Sequence, residues 1–182
     1  MTEKIFGIGM HKTATSSLDR AFKILGYRST HWDNHAAFYK ALLSGAAGDL
    51  DAAMQGFDAA SDLPLPLMFR ELDAHFPGSR FILTIRDAER LATSAENHIG
   101  GRRLDVEEFL FYGVWKFDRQ RCLDRYREHS QSVLSYFKNR PEDLLVLDIT
   151  AGEGWARLCP FLGRAIPDTA FPHIHKGKYA AT

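Results

Sequence analysis

The stretch Lys4-Ile-Phe-Gly-Ile-Gly-Met-His-Lys-Thr-Ala-Thr-Ser-Ser-Leu18 constrains this chain more than any other part of it. Ile5, Phe6 and Ile8 read as a buried strand, and Leu18, Ala21, Phe22 and Leu25 recur behind it at helical spacing. Between them lie a tight turn of small residues, the Lys12 ammonium and the hydroxyls of Thr13, Thr15, Ser16 and Ser17. A helix N-terminus carries unpaired N–H groups and the positive end of a dipole, so this junction is a natural cradle for phosphate or sulfate. An ordinary capped junction needs only one Ser or Thr. The spacing differs from a Walker loop, which needs a Gly-Lys-Ser/Thr at the helix entry with four residues between its two glycines. Here Lys12 stands ahead of the hydroxyl cluster, beside whatever oxygen leaves the bound group.

The same grammar repeats along the chain. Strands are expected near 4–9, 27–31, 57–61, 81–85 and 144–149. Helices are expected near 14–25, 34–43, 66–76, 88–98 and 105–137, the last split near Gly113, with a final helix seeded by Trp155, Leu158 and Leu162. The segment 44–56 reads as a loose Gly/Ala/Asp connection. Trp115, Cys122, Tyr126, Val133 and Phe137 form the apolar seam of the long helical region. Apolar strands separated by helices imply a mostly parallel sheet of about five strands covered on both faces, in a three-layer α/β domain of the phosphate-loop type spanning 1–182. Ligands of such sheets sit beyond the carboxyl ends of the strands. The residues there are 9–17, Asp62, Arg86-Asp87 and 148–152.

Charge narrows the partners. The chain has 23 basic and 23 acidic residues, so no global field recruits nucleic acid or an anionic membrane, and any anion site is local. Cys122 and Cys159 match no metal spacing, and a reduced, cytoplasmic compartment is expected. His173 and His175 flank a proline-marked tail too sparse for a metal site. No signal peptide or membrane span is expected, because the first strand starts within four residues and no apolar run is long enough.

Arg86 leaves the end of a buried strand, where a guanidinium is costly without an anion. It either grips a phosphate monoester with Ser94, eight residues on, or pairs with Asp87 or another carboxylate as structural glue. Asp62, in Ala-Ser-Asp-Leu-Pro, either acts as a base or caps the helix near Pro66.

Taken together, Gly-Met-His-Lys-Thr-Ala-Thr-Ser-Ser-Leu, the Arg86/Ser94 pair, Pro-Gly-Ser-Arg-Phe-Ile-Leu-Thr-Ile-Arg-Asp, Leu-Leu-Val-Leu-Asp-Ile-Thr and Gly-Trp-Ala-Arg-Leu-Cys-Pro-Phe-Leu-Gly resemble the sulfotransferases that use 3′-phosphoadenosine 5′-phosphosulfate. The chain looks closest to their compact bacterial members, and the resemblance covers nearly its whole length. It implies transfer of a sulfuryl group to a hydroxyl or amine of a small molecule or glycan, leaving adenosine 3′,5′-bisphosphate, with no metal. Lys12 would meet the bridging oxygen, and the loop 12–17 (Lys12, Thr13, Ala14, Thr15, Ser16, Ser17) would hold the 5′-phosphate. Arg86 and Ser94 would hold the 3′-phosphate. Asp62 stands where better-known relatives carry a catalytic histidine. Lys176-Gly177 partly resembles the family's C-terminal Arg-Lys-Gly segment, with His175 in the arginine's place.

Ala14 occupies a position usually held by glycine, a cost of about 1–2 kcal/mol if the backbone there is left-handed. The acceptor pocket is expected from the brief segments 32–56 and 99–118. His11, His31, Trp32 and His35 could face it or merely pack, whereas Tyr126 and His129 read as core. A kinase with an atypical phosphate loop and a non-catalytic nucleotide-binding protein on the same fold are the alternatives.

Overall fold

A computed structural model of the protein describes residues 3–174. Its five strands are β1 (Ile5–Gly7), β2 (Ser29–Thr30), β3 (Ala59–Ser61), β4 (Arg80–Thr84) and β5 (Leu144–Leu147). They form one sheet in the order β2-β3-β1-β4-β5, and every pairing is parallel. The helices are α1 (Thr15–Ile24), α2 (His35–Ser44), α3 (Ala47–Ala53), α4 (Phe69–His75), α5 (Ala88–Ile99), α6 (Val106–Tyr112), α7 (Arg119–Tyr136) and α8 (Trp155–Leu162).

Strand periodicity sorts the core into layers. Side chains alternate across a sheet, so Phe6, Ile8, Ala60, Phe81 and Leu83 face the side covered by α2, α3, α4 and the end of α7. Ile5, Ala59, Ile82, Leu145 and Leu147 face the other side, where Leu18, Ala21 and Phe22 of α1 meet Trp155, Leu158 and Leu162 of α8. A third cluster lies at the carboxyl end of the sheet, where Met10 and Leu63 pack with α5, α6 and α7. This is the expected three-layer α/β arrangement. The central strand β1 lies between β3 and β4, so the loops after these three strands converge.

Gly9 is fixed by space. A Cβ there would sit 1.9 Å from the Thr84 hydroxyl oxygen and 2.6 Å from the Thr84 carbonyl, so only glycine lets the loop cross the end of β4.

Three sequence expectations need correction. The segment read as loose contains α3, whose Leu50 and Ala53 are buried although Gly48 and the acidic residues conceal the pattern. Trp115 is not part of the long-helix seam. It lies between α6 and α7, stacked on Phe109 at 4.2 Å and covered by Arg103. The second strand is only two residues long, a stub paired to β3. Gly113 does end α6, with φ 74°, as its position suggested. Among the described residues, no helix is long and apolar enough to cross a membrane.

Candidate active site

The loop after β1 is held from beneath. Thr13 Oγ1 donates to the Met10 carbonyl at 2.5 Å and lies 2.6 Å from the Thr84 hydroxyl, while the Thr13 N–H also donates to Met10 O. Thr13 is fully buried and turned away from the cleft. The sequence expectation that its hydroxyl and N–H would hold a phosphate is therefore corrected: both are committed to bracing the loop. Lys12 and Ala14 adopt left-handed backbone, φ 68° and 71°. Ala14 is the N-cap of α1 and supplies no side-chain cap, but its carbonyl accepts from Ser17 and Leu18. Among the described residues, the N–H groups of Ala14, Thr15 and Ser16 take no backbone acceptor. No acidic side chain stands in the first turn of α1. The result is a set of donors at a helix N-terminus with no backbone acceptor among the described residues.

The second element follows β4. Tyr126 on α7 grips the Arg86 backbone from both sides: the Arg86 N–H donates to its hydroxyl (3.0 Å), and that hydroxyl donates to Arg86 O (2.8 Å). The guanidinium donates through Nη1 to the Lys12 carbonyl at 3.1 Å, and its Nε is buried with no partner. Asp87, the carboxylate expected to neutralise it, instead caps α5 by accepting the Arg90 N–H at 2.9 Å. Among the described residues, no carboxylate forms an ion pair with Arg86, so the structural-glue reading fails. Burial and the nearby Arg90 pull its pKa down, against Asp148 and Asp87. Ser94, buried on α5, lines the same cleft as Arg86, as do Lys12, Ala14, Thr15, Ser16 and Ser17. That cleft encloses about 970 Å³.

Asp62 ends β3 with φ 79°. Its side chain caps neither the short 3-10 turn Leu65–Leu67 nor α4, which removes the capping alternative. Instead Oδ2 lies 3.1 Å from His31 Nε2, and Oδ1 is buried without a partner. The same His31 nitrogen lies 3.2 Å from Thr15 Oγ1 in the loop, linking Asp62 to the anion cradle. Burial pushes the Asp62 carboxyl up, but the hydrogen bond and charge of His31 outweigh it and hold the group below its ordinary value. The imidazole is raised in turn, because Asp62 overcomes burial. His11 is half-buried against the Tyr112 hydroxyl, and its partial burial brings its pKa down to about 4. A neutral His11 therefore faces an ionised Asp62 near pH 7.

The rim is built unevenly. Trp32 lines the cleft and stacks on His35 at 4.2 Å, and His35 reaches Glu107 of α6 at 3.4 Å. From 99–118 the cleft takes Arg102, Asp105 and Glu108, but no described residue of 33–56 lines it. That segment instead covers the sheet through α2 and α3. Tyr126 and His129 are core residues, His129 Nε2 donating to the Ile8 carbonyl at 2.7 Å. At the other end, the Ile174 N–H donates to Ser17 Oγ at 3.0 Å, so the tail crosses the loop, and His173 joins the lining. His175, Lys176, Gly177 and Lys178 lie outside the described residues.

A loop of backbone donors after the central strand, flanked by Arg86 past β4 and Asp62 past β3, sets the context for a match to the sulfotransferase domain family over residues 4–180. The chain belongs to that family. It is similar to "Ava biosynthesis cluster protein M" of Aspergillus versicolor, 28% identical over 211 residues, covering 94% of this chain and 80% of that protein. Membership supports sulfotransferase activity in general, and the five-stranded parallel sheet agrees with the family's phosphate-loop type of fold.

Two residues of this sulfotransferase domain carry more than their sequence positions suggested. His31 was a rim candidate, but it is the partner of Asp62. Arg90 attracted no notice, although it falls four residues before Ser94 on α5, a spacing that puts the two on one helical face.

Proposed function

We propose that this protein transfers a sulfuryl group from 3′-phosphoadenosine 5′-phosphosulfate to a hydroxyl or amine of a small molecule or glycan. One observation carries the reading: the Arg86 guanidinium lacks a carboxylate, keeps a buried unsatisfied Nε, and is joined through Lys12 O to the loop whose N–H groups are unsatisfied. Two anion anchors thus open on one cleft, which suits a nucleotide charged at both its 3′ and 5′ positions. The fit is favourable, since an orphaned buried donor is costly and a phosphate oxygen satisfies it.

When bound, the donor supplies an activated sulfuryl group and a bisphosphate leaving group. Lys12 and the N–H groups of Ala14, Thr15 and Ser16 hold the 5′-phosphate end, where leaving-group charge develops. A cation there stabilises the transition state more than the ground state. Arg86 and Ser94 grip the 3′-phosphate and fix the direction of attack. Asp62 takes the acceptor's proton on Oδ1 as the new bond to sulfur forms and the bond to the phosphate oxygen breaks. His31 keeps that carboxylate ionised and ready. A loose transition state asks little of the nucleophile, so a carboxylate of ordinary or low basicity is adequate. A relative named for a biosynthesis cluster favours a small-molecule acceptor.

Thermal shift against adenosine 3′,5′-bisphosphate, ATP with magnesium, AMP and sulfate tests the assignment. A ligand at a hundredfold excess over its Kd stabilises by about 2.7 kcal/mol. The bisphosphate should give the largest shift. A larger shift with ATP and magnesium would overturn the donor assignment and favour a kinase.

A further inference from the structure

The Arg86 side of the cleft holds a second guanidinium with no partner among the described residues. Arg90 lies in the first turn of α5, lines the cleft together with Arg86 and Ser94, and is exposed. The carboxylates of its own helix are all committed elsewhere. Asp87 caps the helix, and Glu89 and Glu96 both pair with Arg119, at 2.9 and 3.0 Å. Among the described residues, the Arg90 side chain makes no ion pair or hydrogen bond. It stands close enough to Arg86 for the two cations to repel. It also stands at the positive end of the α5 dipole, where a cation is disfavoured. Two unfavourable placements with no compensating contact are what a site for a doubly charged anion looks like when the anion is not counted.

Resting on the donor reading above, we propose that Arg90 is a specificity-determining residue that closes on the 3′-phosphate alongside Arg86. A phosphate monoester carries about −1.5 to −2 at neutral pH, so one guanidinium leaves part of that charge uncompensated. Two forks, with the Ser94 hydroxyl between them, satisfy the three terminal oxygens of a monoester. The residue therefore discriminates a 3′-phosphorylated nucleotide from its unphosphorylated counterpart and contributes nothing to the 5′ end.

Calorimetric titration of the full chain with adenosine 3′,5′-bisphosphate, adenosine 2′,5′-bisphosphate and AMP tests this. Arg90→Ala should weaken the 3′,5′-bisphosphate about tenfold or more, as for a hydrogen bond to a charged group, and leave AMP within about twofold. Arg90→Lys keeps the charge but loses the fork and should fall between wild type and Arg90→Ala. An unchanged bisphosphate affinity in Arg90→Ala would refute the assignment. An equal loss on AMP would refute it too, showing a general field or an adenine contact. A wild-type protein that fails to prefer the 3′,5′-bisphosphate over AMP overturns the donor reading itself. A preserved wild-type preference that Arg90→Ala also keeps overturns only the role of Arg90.

Discussion

The two halves of the cleft are built on opposite electrostatic plans. On the side of α5, Arg86 and Arg90 pair with no carboxylate among the described residues, and Arg86 takes only a backbone carbonyl. On the side of Asp62 and α6, acids and bases are matched: Asp62 with His31, Glu107 with His35, and Glu108 with Arg102 through both guanidinium nitrogens. Unmatched charge has to be answered by a ligand, whereas matched charge shapes a wall. On the function proposed above, the first half would receive a polyanion, and the second would hold Asp62 ionised as the base.

The contrast breaks most readily at Lys12. Lys12→Ala should slow release of adenosine 3′,5′-bisphosphate from the donor by about 10³, the upper range for losing one group that stabilises developing negative charge. Its affinity for the bisphosphate should change far less. Equal losses in rate and affinity would show that Lys12 serves ground-state binding.

The matched side should reveal itself through pH. His11 is half-buried with a pKa of about 4, while in the unfolded chain it returns to about 6.5. The unfolded state then binds the extra proton, so the stability His11 contributes is present above pH 6.5 and lost as pH falls toward 4. The full span is on the order of 3 kcal/mol. The His31–Asp62 pair behaves differently on its two arms. The contribution from the lowered Asp62 carboxyl is present above its ordinary range and lost in acid. That from the raised His31 imidazole is present below its ordinary value and lost as pH rises past it. Melting temperature against pH should thus peak near neutrality. A His11→Asn variant should lose the steep fall between pH 6.5 and 4, and a profile identical to wild type would contradict burial of a neutral His11.

Asp62→Asn keeps the shape of the side chain and removes the base. It should lower turnover about 10²-fold, at the modest end for general-base catalysis. Bisphosphate affinity should stay close to wild type, because Asp62 faces the other half of the cleft. A parallel loss of affinity would mean the halves are not independent. The smallest effect sharpens the donor half. Ala14 is left-handed, so Ala14→Gly should stabilise the protein by about 0.5–1 kcal/mol, relief of the methyl clash less the extra entropy of glycine. A lower melting temperature in Ala14→Gly would show that the clash is already relaxed.

How far sequence alone could reach also differs between the halves. The donor half is local in the chain: a strand, a loop and a helix within residues 4–25, and an arginine and serine on one strand–helix junction. Period and spacing expose such units, and even the left-handed Ala14 was foreseeable. What spacing could not show was direction. Thr13 sits among hydroxyls that face the cleft yet turns inward, because Gly9 brings the loop against Thr84 and provides an internal partner. The matched half is assembled from β2, β3 and α6, far apart in sequence, so its pairings follow from topology rather than pattern. His31 meets Asp62 only because β2 and β3 are neighbours in register, Ser29 beside Ala59 and Thr30 beside Ala60. For the same reason α3 was missed: its two buried residues have meaning only against the sheet face they cover.

On the proposed function, Arg86 waits for the 3′-phosphate of a nucleotide whose 5′ end lies in the 12–17 loop. Isothermal titration of wild type and Arg86→Ala with adenosine 3′,5′-bisphosphate and AMP decides this. Wild type should prefer the bisphosphate by about tenfold or more, and Arg86→Ala should bind the two nucleotides alike, still through the loop. A preference undiminished in Arg86→Ala, or absent from wild type, would contradict it.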